Sequence, residues 1–118
     1  MHGQILPPGQ LPSPCYIIDE NRLENNLRLL QGICQRTGCR ILLAQKAFSC
    51  YALYPLISRY LQGTAASGLY EARLGREEMP DGEVHVFKPA FTAAEFAELL
   101  PLADHLIFNS GQQLQKFA

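Results

Sequence analysis

No stretch of this 118-residue chain is apolar for long enough to cross a bilayer. Positive charge is not in excess. Ten lysines and arginines face eleven aspartates and glutamates, for a net charge of -1. No basic stripe runs along any segment, which sets nucleic acid aside as a partner. The opening MHGQILPPGQLPSPCY has no charged region followed by an apolar one, so it does not read as a signal peptide. A glycine-rich loop that could cradle a phosphate is missing too. Cysteine is sparse: Cys15, Cys34, Cys39 and Cys50 form no C-x-x-C pair, and His2, His85 and His105 stand at no metal-ligand spacing from them. A disulfide scaffold and a zinc site are disfavoured. Reduced thiols in a cytoplasmic protein, with no metal, are expected.

What is present alternates. Apolar residues make up 47% of the chain, enough for a core. Short apolar runs occupy residues 41–44, 63–67, 84–87 and 105–108, and their starts lie 21 or 22 residues apart. Helical periodicity fills the gaps. Leu53, Leu56, Ile57, Tyr60 and Leu61 follow the i, i+3, i+4, i+7, i+8 rule. A helix over 69–79 is stopped by Pro80-Asp81-Gly82. Thr92-Ala93-Ala94-Glu95 is a capping box with Phe96, Leu99 and Leu100 behind it, and Pro101 closes that helix. Ser110-Gly111-Gln112-Gln113 resembles a second box, with Leu114 and Phe117 on the buried side.

An earlier helix is predicted between Asp19, its N-cap, and Thr37, with Gly38 as the stop and Leu23, Leu27, Leu30 and Ile33 as the apolar stripe. Before it, Cys15-Tyr16-Ile17-Ile18 reads as a strand. Residues 1–13, with Pro7, Pro8 and Pro12, read as an extended lead-in. Strands alternating with helices imply a parallel sheet, because each crossover needs a helix to return the chain. The short period suits a barrel. The fold class is therefore α/β, an incomplete (β/α)8 barrel of TIM type: about the first four β-α units, with an amino-terminal strand and helix. A whole barrel takes roughly 250 residues. The chain, which ends inside a predicted helix, is expected to be a fragment.

One residue stands out in RILLAQKAFS, residues 40–49. Lys46 follows the apolar run 41–44. A lysine there is commonly a snorkelling side chain at a strand end. The other reading is chemical. In parallel barrels the chemistry sits at the carboxyl ends of strands. An amine partly desolvated there is a better nucleophile and can form a Schiff base with a carbonyl group.

Five segments carry a resemblance: SPCYIIDENRLENNLRLLQ, ILLAQKAFS, GTAASGLYEARLG, GEVHVFKPAF and DHLIFNS, spanning Pro14 to Ser110. Together they resemble the carboxynorspermidine decarboxylase family, a branch of the alanine-racemase-like, fold-type III decarboxylases that use pyridoxal 5'-phosphate. The A-x-K at a first barrel strand is shared across fold type III. The ASGLYEARLG and GEVHV-x-x-PAF blocks point to the narrower branch.

The resemblance implies that Lys46 is the catalytic, cofactor-holding lysine. It implies decarboxylation of carboxynorspermidine or carboxyspermidine to norspermidine or spermidine, in polyamine biosynthesis, by a cytoplasmic homodimer. Residues 14–118 would be the amino-terminal half of the cofactor-binding barrel. The rest of the barrel, the phosphate cradle and a carboxy-terminal β domain would lie elsewhere, leaving this segment inactive alone. Ala44 would let the cofactor ring lie close to the strand, or serves ordinary barrel packing. Ser67 and Glu71 match the serine and glutamate near the cofactor in related decarboxylases. Their spacing is one residue longer than in the ornithine decarboxylase branch, and Glu71 also reads as a first-turn carboxylate favoured by the helix dipole.

Of the remaining polar residues, His85 is expected as a packed or hydrogen-bonded core histidine, Lys88 as solvated, Tyr70 as core, and Asn109-Ser110 as a helix cap. Two other readings compete with this one. Single-domain barrel proteins that hold pyridoxal phosphate for homeostasis, without catalysis, share the first-strand lysine; the CYII strand argues against them. Schiff-base aldolases place their lysine on a later strand.

Overall fold

The computed structural model describes residues 7–118. Helix α1, Glu20–Thr37, begins where Asp19 accepts a hydrogen bond from the Arg22 N–H, at 3.1 Å. It ends at Gly38, whose φ of 73° lets the chain turn in the left-handed region, with its N–H bonded to the Cys34 carbonyl. Four strands follow: β1 Leu42–Ala44, β2 Gly63–Ala66, β3 Glu83–Phe87 and β4 His105–Ile107. Between and after them lie α2 Tyr54–Ile57, α3 Leu69–Glu78, α4 Ala93–Leu99 and α5 Gly111–Phe117.

All three strand pairings are parallel, in the order β1-β2-β3-β4. Register aligns Leu43, Thr64 and Val84 in one row, and Ala44, Ala65, His85 and His105 in the next. Strand alternation then sorts the faces. Thr64, Ala66, Val84 and Val86 are buried on the helix side. Glu83, His85, Phe87, His105 and Ile107 fall on the other face, where Phe87 and Ile107 stay exposed. Sequential order with helices on one face is a barrel-wall arrangement; a doubly wound sheet reverses its order and is covered on both faces.

The helix side carries two clusters. One joins Leu27 of α1 to Leu53, Tyr54, Ile57, Leu61 and Met79. The other packs Phe91, Phe96 and Leu99 on Val84 and Val86, with Phe117 stacked on Phe96 at 4.4 Å between ring centroids. Close approach explains two glycines. A Cβ on Gly63 would lie 2.0 Å from the Glu83 carbonyl oxygen, and one on Gly75 would lie 2.3 Å from Thr64 Oγ1. Helix α3 therefore seats directly on β2.

The expected helix caps are present, with changed partners. Thr92 Oγ1 accepts from the Glu95 N–H, but the Glu95 carboxylate turns to Lys88 and does not close the box. Ser110 Oγ accepts from the Gln113 N–H, and Gln113 Oε1 accepts from the Asn109 N–H one residue earlier.

Several expectations fail. Residues 15–18 form no strand. Tyr16 and Ile17 are 103% and 72% exposed, and an isolated extended segment with no sheet edge beside it has no ladder to join. The helix expected over 53–61 is a 3-10 turn, Tyr51–Leu53, followed by one α turn. Pro55 sits at its start, where a missing N–H costs nothing. Ile33 and Leu114 are exposed, because the core beneath α1 ends at Leu30 and α5 docks through Phe117.

Candidate functional site

The carboxyl ends of β1, β2 and β3 make one edge of the sheet. Strand β1 ends at Ala44, and the chain turns at once. The N–H groups of Ala47 and Phe48 both bond to the Ala44 carbonyl, at 3.0 and 3.2 Å. Gln45 is 1% exposed and packs against α3. Its N–H continues the ladder to the Ala65 carbonyl, its Nε2 donates to the Glu71 carbonyl at 2.8 Å, and its Oε1 accepts from the Tyr54 hydroxyl at 3.0 Å. Phe48 packs into the cluster around Leu53. Between these two anchors Lys46 is left exposed. It makes no ion pair among the described residues. An ammonium group at the end of an apolar run is thus held by its neighbours' burial and not by a partner of its own.

Burial pushes the Tyr54 phenol above its ordinary pKa, and the Glu71 and Cys50 charges add to that. The hydroxyl stays a neutral donor to Gln45.

The next turn holds Ser67 and Glu71. The Ser67 N–H donates to Glu71 Oε2 at 2.6 Å. Gly68, the N-cap of α3, has no side chain to cap with. The Glu71 carboxylate, in the first turn of α3, instead reaches back past the N-cap to the Ser67 N–H and fixes the β2–α3 turn. After β3, Lys88 Nζ lies 2.6 Å from both oxygens of Glu95. Ser67, Gly68, Tyr70, Glu71, Lys88 and Glu95 line a cleft of about 540 Å³. Ser67 and Glu71 are brought together there; Lys46 and Ala44 are not among its walls. Ala44 stays exposed, in register with Ala65.

Three further assignments change. Lys88 is paired rather than solvated. Tyr70, expected in the core, is 83% exposed at the second position of α3. His85 is hydrogen-bonded, its Nε2 3.0 Å from Glu83 Oε2, but on the open face of the sheet and not in the core. Its ring lies 4.3 Å from that of His105. The Lys88–Glu95 pair had a local signal, a lysine at a strand end seven residues before a first-turn glutamate. The Glu83, His85 and His105 cluster had none, because it depends on which strands are neighbours.

Comparison with known proteins supplies the rest. The chain is 37% identical over 108 residues to a carboxynorspermidine/carboxyspermidine decarboxylase of Campylobacter jejuni, covering 92% of this chain and 28% of that protein. This is the observation that decides. The chain is a homologue of the carboxynorspermidine decarboxylases. The corresponding enzyme of Herminiimonas arsenicoxydans is 36% identical over 108 residues, 92% of this chain and 29% of its own. A carboxyaminopropylagmatine decarboxylase of Synechocystis is also 36% identical, over 109 residues that cover 92% and 28% of the two chains.

The crystal structure of the Campylobacter jejuni carboxynorspermidine decarboxylase, complexed with norspermidine, superposes with a TM-score of 0.87 at 37% identity, over 91% of this chain and 29% of that one. This homologue therefore spans under a third of the length of its relatives. Its four parallel strands and their helices match part of a TIM-barrel-type decarboxylase. No protein-family model matches the chain. No helix among the described residues is long and apolar enough to cross a membrane.

Proposed function

We propose that this chain contributes the cofactor-lysine segment of a pyridoxal-phosphate-dependent decarboxylase. Its substrate is a carboxylated polyamine, carboxynorspermidine or carboxyspermidine, and its product norspermidine or spermidine. One observation carries the reading: 37% identity over 92% of the chain to an enzyme of that activity, with Lys46 exposed at the carboxyl end of the first strand. In that reading residues 14–118 are the first half of a barrel, completed by further strands and a β domain, in a homodimer.

The residues present fit the cofactor's aldehyde end. Lys46 offers an accessible primary amine, and the adjacent Ala44 and Ala65 add no side-chain bulk on the open face. Pyridoxal phosphate, when bound, supplies a sink for the electron pair left by the departing carboxylate. Lys46 Nζ would be the amine that holds the cofactor, and it would be placed to carry a proton near the substrate's α-carbon. Gln45 and Phe48 fix the turn so that this amine is presented at one position. Ala44 leaves clearance for the ring. Ser67 and Glu71 form the neighbouring wall, with the Glu71 carboxylate keeping the β2–α3 turn in shape.

The Synechocystis relative acts, by its name, on carboxyaminopropylagmatine. Substrate choice is therefore read by comparing the three carboxylated amines. The test is absorbance of the whole gene product with added pyridoxal phosphate, together with CO2 release. The parent should show the visible band of lysine-bound cofactor, and Lys46→Ala should lose both band and turnover. A band unchanged in Lys46→Ala refutes the assignment. A band without CO2 from any of the three amines favours the cofactor-homeostasis reading. The 118-residue chain alone should release none.

A further inference from the structure

We propose that Glu83, His85 and His105 form a binding site for a divalent transition-metal ion of the zinc class. Its assignment does not use the reading above; His85 and His105 continue the Ala44–Ala65 row of the open face, and none of the three residues lines the cleft. Three features of the sheet build it. Glu83 and His85 are two residues apart on β3, so both fall on the open face. Parallel register sets His85 directly beside His105 on β4. The two rings lie 4.3 Å apart between centroids, and one donor atom from each of the three residues lies within 4.8 Å of the others.

Donor chemistry selects the metal. Two imidazoles and one carboxylate suit zinc and its neighbours, whereas calcium and magnesium take all-oxygen sites. Zinc bonds of about 2.0–2.2 Å put tetrahedral ligand atoms roughly 3.4 Å apart. Rotation of the side chains closes the remaining gap, since the backbone is already held by the β3–β4 ladder. Three protein ligands leave a further position for water or another donor.

The surrounding charges are arranged around this. Arg40 Nη2 takes the other Glu83 oxygen, Oε1, at 3.0 Å, leaving Oε2 toward His85. Its charge opposes a cation, but the Arg40 side chain is 60% exposed and solvent screens it. Asp104, next to His105, is committed to Arg76 and to the Val84 N–H and is not a fourth ligand.

The decisive measurement is calorimetric titration of the 118-residue chain with Zn²⁺. Cysteine thiolates also bind zinc, so the background carries Cys15, Cys34, Cys39 and Cys50 replaced by serine. One equivalent should bind. Losing an outer partner of a metal site already costs about 10- to 100-fold, so Glu83→Gln, His85→Gln and His105→Gln should each weaken binding by about tenfold or more. Arg40→Ala removes no ligand and should tighten it. Co²⁺ added to the same background should give a visible ligand-field band that His85→Gln abolishes while the far-ultraviolet circular dichroism stays that of the parent. Absence of zinc binding, or stoichiometric binding indifferent to His85→Gln and His105→Gln, overturns the proposal and leaves a hydrogen-bonded histidine stack.

Discussion

Gln45 donates from its buried side-chain amide to the backbone carbonyl of Glu71, 2.8 Å away and 26 residues later. This bond ties the turn that carries Lys46 to the first turn of α3. The same amide group accepts from Tyr54, so one side chain joins β1, α2 and α3. The presentation of the lysine thus depends on a glutamine pointing the other way.

Replacing Gln45 with Met keeps the volume and removes both bonds. Each buried group left unpaired costs about 1–3 kcal/mol. Urea unfolding should show Gln45→Met destabilised by that order. Adding Tyr54→Phe removes the orphaned hydroxyl, and the double variant should be more stable than the sum of the singles. Strict additivity would mean the two do not interact.

Thr64 Oγ1 is buried without a hydrogen-bond partner, the one such side-chain atom among the described residues. Thr64→Val keeps the shape and removes the unsatisfied hydroxyl. It should raise stability by about 1 kcal/mol. Gly75→Ala should do the opposite, by about 1–3 kcal/mol, because its Cβ would meet Thr64 Oγ1 at 2.3 Å. Thermal unfolding of the two variants should move in opposite directions.

Asp104 supplies a pH dependence. The Val84 N–H holds its carboxyl below the usual aspartate range, and Arg76 adds to this, against partial burial. A depressed folded-state pKa stabilises the fold above the unfolded value of about 3.9. That contribution is lost as pH falls below it and through the folded pKa. The carboxylate is 43% exposed, so solvent screens the pairing and the effect is modest. Stability measured from pH 6 to pH 2 should fall less steeply in Asp104→Asn than in the parent. Identical slopes would show that Asp104 does not contribute.

Two lysines at the same edge should respond differently. Lys46→Met removes an exposed group with no ion-pair partner among the described residues and should change stability by less than about 0.5 kcal/mol. Lys88→Met strands the Glu95 carboxylate, 17% exposed in the cleft, and should cost more. Parallel denaturant titrations of the two variants check this. An equal loss would contradict the separation between a displayed amine and a structural ion pair.

Much of this was legible along the chain. Asp19, Thr92 and Ser110 mark helix starts, Gly38 marks a stop, and four apolar runs at a 21- or 22-residue spacing mark the strands. These are local signals, written in dihedral preferences and in hydrogen bonds a few residues long, and Lys46 at a strand end belongs with them. CYII misled because an apolar, β-prone run becomes a strand only beside another strand.

What the tertiary structure decided was every pairing between distant residues. It turned Gln45 inward to Glu71, committed the Glu71 carboxylate to the Ser67 N–H, withdrew Lys88 to Glu95, and set His85 against His105. Such pairings follow from strand register and from the face each residue takes. Both are properties of neighbouring elements packed together, and no single segment encodes them.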